Sequence, residues 1–157
     1  MLYLDSSALV KCYVREAGSK AVLARLHSGE RIFTAVLSYF EVFAALGRKL
    51  GDRALEAADF ERAREDFLYD WQNSLSRIAV DARLMSGLEA LIRRHPLRGA
   101  DAVHLCAALW LRDSGGAGPE PAGTGAELEF GVADRKLRRA AEKCGLIVFD
   151  PEEISGG

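Results

Sequence analysis

Short apolar runs alternate with longer stretches of helical periodicity along almost the whole chain, and this alternation restricts the fold more than any other feature. Leu2-Tyr3-Leu4, Arg31-Ile32-Phe33-Thr34, Arg77-Ile78-Ala79-Val80 and residues 128–132 and 146–149 read as five strands. Runs so short and so apolar suit strands buried on both faces. Asp5-Ser6-Ser7 offers helix caps before Ala8-Leu9-Val10. Residues 18–27 read as a helix with Val22, Leu23 and Leu26 on one face, stopped by Gly29. Residues 36–50 form a strongly apolar helix followed by Gly51, and residues 53–72 a more polar one. Asp81 caps a helix running to Arg94, Pro96 breaks the chain, and residues 101–112 and 134–144 supply two more helices. Strands alternating with helices predict an α/β fold with a parallel sheet covered on both faces.

Four acids sit in apolar settings within this pattern. Asp5 ends the first apolar run and Asp134 follows the fourth. In open parallel sheets the functional crevice lies outside the carboxyl ends of the strands, so two acids at two such ends can converge. Each also suits the local role of a helix N-cap. Glu41 has Leu37, Ser38, Ala44 and Ala45 three and four residues away. A carboxylate on that face requires a metal or a buried basic partner. Asp101 opens a helix with Leu105 one turn on, so it too looks inward. His104, three residues past Asp101, is either half of a transition-metal pair or a hydrogen-bonded core residue.

Together the four acids make an all-oxygen donor set, which suits Mg²⁺ or Mn²⁺ rather than zinc. Such cations neutralise phosphate charge, lower the pKa of a bound water and orient in-line attack. No side-chain nucleophile is then needed. The chain has no Gly-rich P-loop, no G-x-S-x-G and no Cys–His pair at a telling spacing. These residues point to a metal-dependent enzyme acting on phosphodiester bonds.

The totals bound the remaining choices. A chain of 157 residues suits one domain with a sizeable core, here taken as residues 1–150 with a tail at 151–157. At 49% hydrophobic and 28% charged it reads as soluble and globular, not disordered. Its apolar runs are too short to cross a bilayer, and its N-terminus lacks a basic n-region, so no membrane and no secretion signal are expected. Cys12, Cys106 and Cys144 are an odd number, far apart, with no zinc motif, and read as buried reduced thiols of a cytoplasmic protein. A net charge of −2 argues against a broad basic nucleic-acid clamp. Basic residues (Arg15, Arg48, Lys49, Arg98, Arg135, Lys136) flank the acids all the same. Residues 114–125, with five glycines and two prolines, read as a flexible loop.

The motifs resemble those of PIN-domain ribonucleases. The residues that carry the likeness are Asp5-Ser6-Ser7-Ala8-Leu9-Val10-Lys11, Ser38-x-x-Glu41, Arg98-x-x-Asp101-Ala-x-His104-Leu105 and Ala133-Asp134-x-x-Leu137. The nearest likeness is to the short VapC-type toxins of toxin–antitoxin pairs. It spans residues 1–150, and Tyr13, Glu16 and Gly18 extend it. The resemblance implies a three-layer α/β/α fold with a central, mainly parallel sheet of four to five strands. It implies a metal-dependent endoribonuclease that uses water as nucleophile and leaves a 5′-phosphate. Asp5 and Asp101 match the principal metal-binding aspartates, Glu41 and Asp134 the rest of the acidic cluster, and Ser7 the hydroxyl that supports Asp5. An RNA substrate, a homodimer and a cognate antitoxin are the implied partners. Two departures stand out. Val132 occupies a position where the family often has Ser or Thr, which removes a hydrogen bond near Asp134. The 114–125 loop is also longer than usual.

Two other readings compete with the toxin. One is a PIN-like nuclease of RNA maturation without an antitoxin. The other is a non-catalytic binding module, including a receiver-like domain with Val80-Asp81 at the end of the third strand. A receiver clusters two further acids after its first strand, whereas this chain follows Asp5 with two serines. For RNA contact the sequence offers the scattered basic residues and a few aromatics, among them Tyr13, Tyr39, Trp71 and Trp110, which equally suit core or interface packing.

Overall fold

The structure, a computed structural model, describes residues 1–115 and 127–153. Its five strands are β1 (Leu2–Leu4), β2 (Ile32–Ala35), β3 (Leu75–Ile78), β4 (Glu129–Gly131) and β5 (Ile147–Phe149). They lie in the order β3-β2-β1-β4-β5, and every neighbouring pair is parallel. Leu2 stands opposite Ile32 on one side and Glu129 on the other, and Tyr3 opposite Phe33 and Phe130. Parallel strands need crossovers, and seven described helices supply them. They are α1 (Ser6–Leu9), α2 (Ser19–Leu26), α3 (Ser38–Gly51), α4 (Ala57–Asn73), α5 (Ala82–Arg94), α6 (Gly99–Asp113) and α7 (Arg135–Lys143), with a 3₁₀ turn at Val10–Cys12.

Alternation along each strand sorts the core into two layers. Tyr3, Phe33 and Phe130 face one side, packed with Leu84 and Leu91 of α5, Leu105 and Leu111 of α6 and Leu137 of α7. Leu2, Leu4, Ile32, Leu75 and Phe149 face the other, against Leu9, Val22, Val42, Leu46 and Phe67 from α1 to α4. This is the expected three-layer α/β/α arrangement with a parallel central sheet. Gly131 of β4 stands between Leu4 of β1 and Phe149 of β5. A Cβ there would come within 2.5 Å of Leu4 Cδ2 and 3.3 Å of Phe149 Cδ1.

Some boundaries differ from the sequence expectation. The third strand starts two residues earlier than the 77–80 run, at Leu75, because β3 is a sheet edge that buries Leu75 and Ile78 and leaves Val80 exposed. The helix ahead of it starts at Ala57, not 53. The break falls on Arg53, which takes a left-handed φ of 57° just after α3 ends at Gly51.

The chain stays docked beyond residue 150. Pro151 is buried and lies where a Cβ on Gly18 (φ 85°) would meet it at 2.9 Å, and Glu152 reaches the buried Lys11 at 2.8 Å. The rest of the anticipated tail, and the 114–125 loop beyond Gly115, lie outside the described residues. All three cysteines are free thiols: Cys106 is buried, Cys12 and Cys144 half-buried. No described helix is long and apolar enough to cross a membrane.

Candidate active site

The chain builds outward from β1 to β2 and β3, then returns to place β4 on the other side of β1. That reversal makes a crevice at the carboxyl ends of β1 and β4. Asp5 stands there. It is the first residue after β1, and its N–H donates to the Gly131 carbonyl of β4 at 3.0 Å. Its carboxylate N-caps α1, accepting from the Ala8 N–H at 3.0 Å. The Ser7 hydroxyl donates to the same carboxylate, 2.8 Å from Oδ1 and 3.0 Å from Oδ2.

Asp5 is 4% exposed, and burial pushes its pKa up from 3.8 to about 6. The charge of His104 and the hydrogen bonds from Ala8 and Ser7 only partly offset that burial. Ser7 also accepts from the N–H groups of Ala133 at 3.0 Å and Asp134 at 3.3 Å. One donor and two acceptor positions are thus all used. The hydroxyl ties the exit of β1 to the exit of β4. Val132, whose side chain is fully buried in the core, does not supply the hydrogen bond a Ser or Thr would give. The backbone beside Asp134 is held by Ser7 instead.

Asp134 N-caps α7, accepting from the Leu137 N–H at 2.8 Å, and is exposed. Glu41 and Asp101 lie in the first turns of α3 and α6. Asp101 is half-buried, and its carboxyl is pushed up first by burial and then by the negative charge of Asp134, with Glu41 adding to it and Arg98 opposing. All four expected acids therefore stand around one end of the sheet, and Asp101 feels both Asp134 and Glu41. They are not closed into a cage. Among the described residues, no three His, Cys, Asp or Glu side chains are gathered tightly enough to hold a metal ion as they stand.

Glu41 has the partner its apolar face demanded. His104 Nε2 lies 2.7 Å from Glu41 Oε2, and the Ser6 hydroxyl donates to the same oxygen. Burial opposes ionisation of Glu41, but the hydrogen bonds from His104 and Ser6 outweigh it and hold the carboxyl below its ordinary range. His104 is 1% exposed, with Tyr3 Oη 2.9 Å from its Nδ1. Both ring nitrogens are occupied, so His104 is the hydrogen-bonded core residue of the two roles its spacing allowed. Tyr3 and Ser6 were not among the expected site residues. Tyr3 had a signal, being the one polar-tipped side chain in the first apolar run; Ser6 had none beyond adjacency to Asp5. The Asp81 alternative has little room for chemistry: its carboxylate caps α5 through the Arg83 and Leu84 N–H groups and pairs with the Arg83 side chain at 2.7 Å.

A model of the PIN domain matches residues 2–113, from β1 through α6. The chain belongs to the PIN-domain family. The matched span contains Asp5, Ser7, Glu41 and Asp101, while Asp134 lies beyond it. Within the family the chain groups with VapC ribonucleases. It is 34% identical over 148 residues to Ribonuclease VapC45 of Mycobacterium tuberculosis strain CDC 1551, covering 92% of each chain, and equally to Ribonuclease VapC49 of strain H37Rv. Among solved structures, a toxin–antitoxin complex from Klebsiella pneumoniae superposes with a TM-score of 0.62 at 14% identity, over 96% of this chain and 98% of that one. The PIN fold is thus common to sequence relatives and to distant structures.

Proposed function

We propose that the protein is a metal-dependent endoribonuclease, the toxin of a type II toxin–antitoxin pair, with its site at Asp5, Glu41, Asp101 and Asp134 supported by Ser7. The observation that carries this reading is the excess of negative charge at the crevice. Burial leaves Asp5 with a proton affinity near pH 6, and Asp101 is raised first by burial and then by the charges of Asp134 and Glu41. Arg98 acts on Asp101 and Arg48 on Glu41, but neither makes the close contact with its carboxylate that His104 Nε2 makes with Glu41. An all-carboxylate set with this charge surplus fits a hard divalent cation, Mg²⁺ or Mn²⁺, held by Asp5 and Asp101 with Glu41 and Asp134. When bound, the cation would neutralise phosphate charge and lower the pKa of the attacking water.

The chain's own residues then bind and orient. Asp5 stays ionised where the cation offsets its burial, and Ser7 fixes its two oxygens. Asp134 uses Oδ1 to cap α7, so Oδ2 is the oxygen that would reach a cation. The exposed Arg48 and Arg98 at the rim offer cationic contacts to a phosphate backbone. The curated relatives named as VapC ribonucleases support RNA as substrate, and the toxin–antitoxin complex sharing the fold supports an antitoxin partner. A homodimer and a cytoplasmic location complete the reading.

The test is cleavage of a mixed RNA pool by antitoxin-free protein with Mg²⁺, Mn²⁺ or EDTA, beside Asp101→Asn. Discrete fragments that need metal and vanish in the variant are the expected result. Equal cleavage by the variant would place the active site elsewhere, and absence of cleavage by folded, metal-loaded protein would leave a binding module.

A further inference from the structure

A polar chain runs from the interior to Glu41. It starts at Tyr3, whose ring is fully buried and stacked on Phe130 with centroids 5.5 Å apart. Its hydroxyl meets His104 Nδ1 at 2.9 Å, and His104 Nε2 meets Glu41 Oε2 at 2.7 Å. Ser6 Oγ closes the far end, 3.0 Å from the same Nε2 and donating to the same Oε2. β1, α1, α3 and α6 each contribute one member.

The partners dictate the proton positions. A carboxylate only accepts, so His104 carries a hydrogen on Nε2 in either charge state and donates it to Glu41. In the neutral ring Nδ1 is a bare lone pair, and the Tyr3 hydroxyl donates to it. The opposite tautomer would set an imidazole lone pair against a carboxylate in a dry interior, where an unmatched polar contact is costly. Glu41 therefore fixes the hydrogen on Nε2, and Tyr3, by occupying Nδ1, holds the ring that donates to Glu41.

We propose that Tyr3 and His104 are positioning residues of the metal site, holding the Glu41 carboxylate in place relative to Asp101. This rests on the metal-dependent reading of the same acids. The Asp101-x-x-His104 spacing acquires a physical meaning. The two side chains are one turn apart on α6, so anchoring His104 to Glu41 also anchors the helix that carries Asp101 to the helix that carries Glu41. Both hydrogen bonds to Glu41 fall on Oε2, so Oε1 is the oxygen left to face a cation. Groups that orient metal ligands from behind typically change metal affinity about 10–100-fold when removed.

The experiment is calorimetric titration of Mn²⁺ alone into the full chain and into Tyr3→Phe, His104→Leu and His104→Gln, each checked for folding by circular dichroism. His104→Leu is expected to weaken Mn²⁺ binding by about tenfold or more. His104→Gln, whose amide can present an N–H near the place of Nε2, should recover most of that loss. Tyr3→Phe keeps the stacked ring and removes only the hydroxyl, so it reports on orientation even if the histidine variants fail to fold. It should weaken Mn²⁺ several-fold and shift the His104 Nδ1 ¹⁵N resonance, while the Nε2–H that Glu41 fixes remains. Folded His104→Leu or Tyr3→Phe that binds Mn²⁺ as tightly as the native chain would overturn the proposal. Native protein that takes up no Mn²⁺ would remove both the positioning role and the metal reading. Native protein that binds Mn²⁺ but cleaves no RNA would remove the nuclease reading, while the variants still decide the positioning role.

Discussion

Replacing Asp5 with asparagine is expected to stabilise the metal-free protein near neutral pH while abolishing RNA cleavage. Asp5 is 4% exposed, and its carboxyl holds a proton up to about pH 6 against 3.8 in an exposed chain. A carboxyl whose pKa rises on folding contributes stability below its unfolded value and loses it as pH climbs through the folded one. At 1.36 kcal/mol for each tenfold in proton affinity, the ionised carboxylate costs the metal-free fold about 3 kcal/mol above pH ~7. Asparagine keeps the oxygen that accepts from Ala8 and Ser7 but brings an amide N–H₂ beside a hydroxyl whose acceptor positions are already filled. That mismatch costs about 1 kcal/mol. The variant should therefore be more stable than the native chain by about 2 kcal/mol at pH ~7.5, and less stable by about 1 kcal/mol at pH ~4. Urea unfolding in EDTA at the two pH values measures both differences. Mn²⁺ at a hundredfold excess over its dissociation constant should add about 2.7 kcal/mol to the native chain and little to the variant. A variant destabilised equally at both pH values would refute the claim that burial of this charge is held in reserve for a cation.

Three further outcomes follow from the same geometry. Ser7→Ala leaves the Ala133 and Asp134 N–H groups and the Asp5 carboxylate short of a partner, and should cost about 1–3 kcal/mol in chemical denaturation; unchanged stability would mean water replaces the hydroxyl without loss. Gly131→Ala sets a methyl 2.5 Å from Leu4 Cδ2 between the central strands and should lower stability by about 1–3 kcal/mol, read from thermal melts, with native-like melting counting against the packing described. Protons compete with a cation for Asp5, so Mn²⁺ affinity should be flat above pH ~6.5 and fall roughly tenfold for each further unit below pH ~6, more steeply if the raised Asp101 joins; a flat profile to pH ~5 would exclude Asp5 as a ligand.

The sheet was legible because its central strands are buried on both faces. Leu2-Tyr3-Leu4 and Ile32-Phe33 are continuous apolar runs, and the structure makes them the two neighbouring inner strands. At the edge the same cue failed. β3 needs only Leu75 and Ile78 to cover its inner contacts, so the more apolar Ala79-Val80 pair misplaced the strand by two residues. Asp5 and Asp134 were legible as neighbours because parallel strands bring their carboxyl ends to one side whatever the loops do. The partner of Glu41 was not: His104 is 63 residues away, and nothing local distinguishes a histidine that orients a carboxylate from one that fills a core. Ser7 was legible as support for Asp5 two residues away, but not as the bracket on a strand exit 126 residues later.

The local roles of the acids are compatible with the metal-binding roles proposed for them. Asp5 and Asp134 do cap α1 and α7, as an N-cap reading requires. Capping by Asp134 uses one oxygen, however, and the other takes no part in the cap. Glu41 and Asp101 sit in the first turns of α3 and α6, so these helices, like α7, direct their N-termini toward the acids. The positive end of a helix favours a negative charge near it by about 0.3–1 kcal/mol. Against the roughly 3 kcal/mol attached to Asp5 alone, that support is too small to neutralise the cluster. Glu41 is instead held ionised, against its burial, by the hydrogen bonds from His104 and Ser6. The fold thus holds four carboxylates near one another through caps, one serine bracket and one histidine, and leaves the largest electrostatic deficit at Asp5, where a divalent cation would meet it.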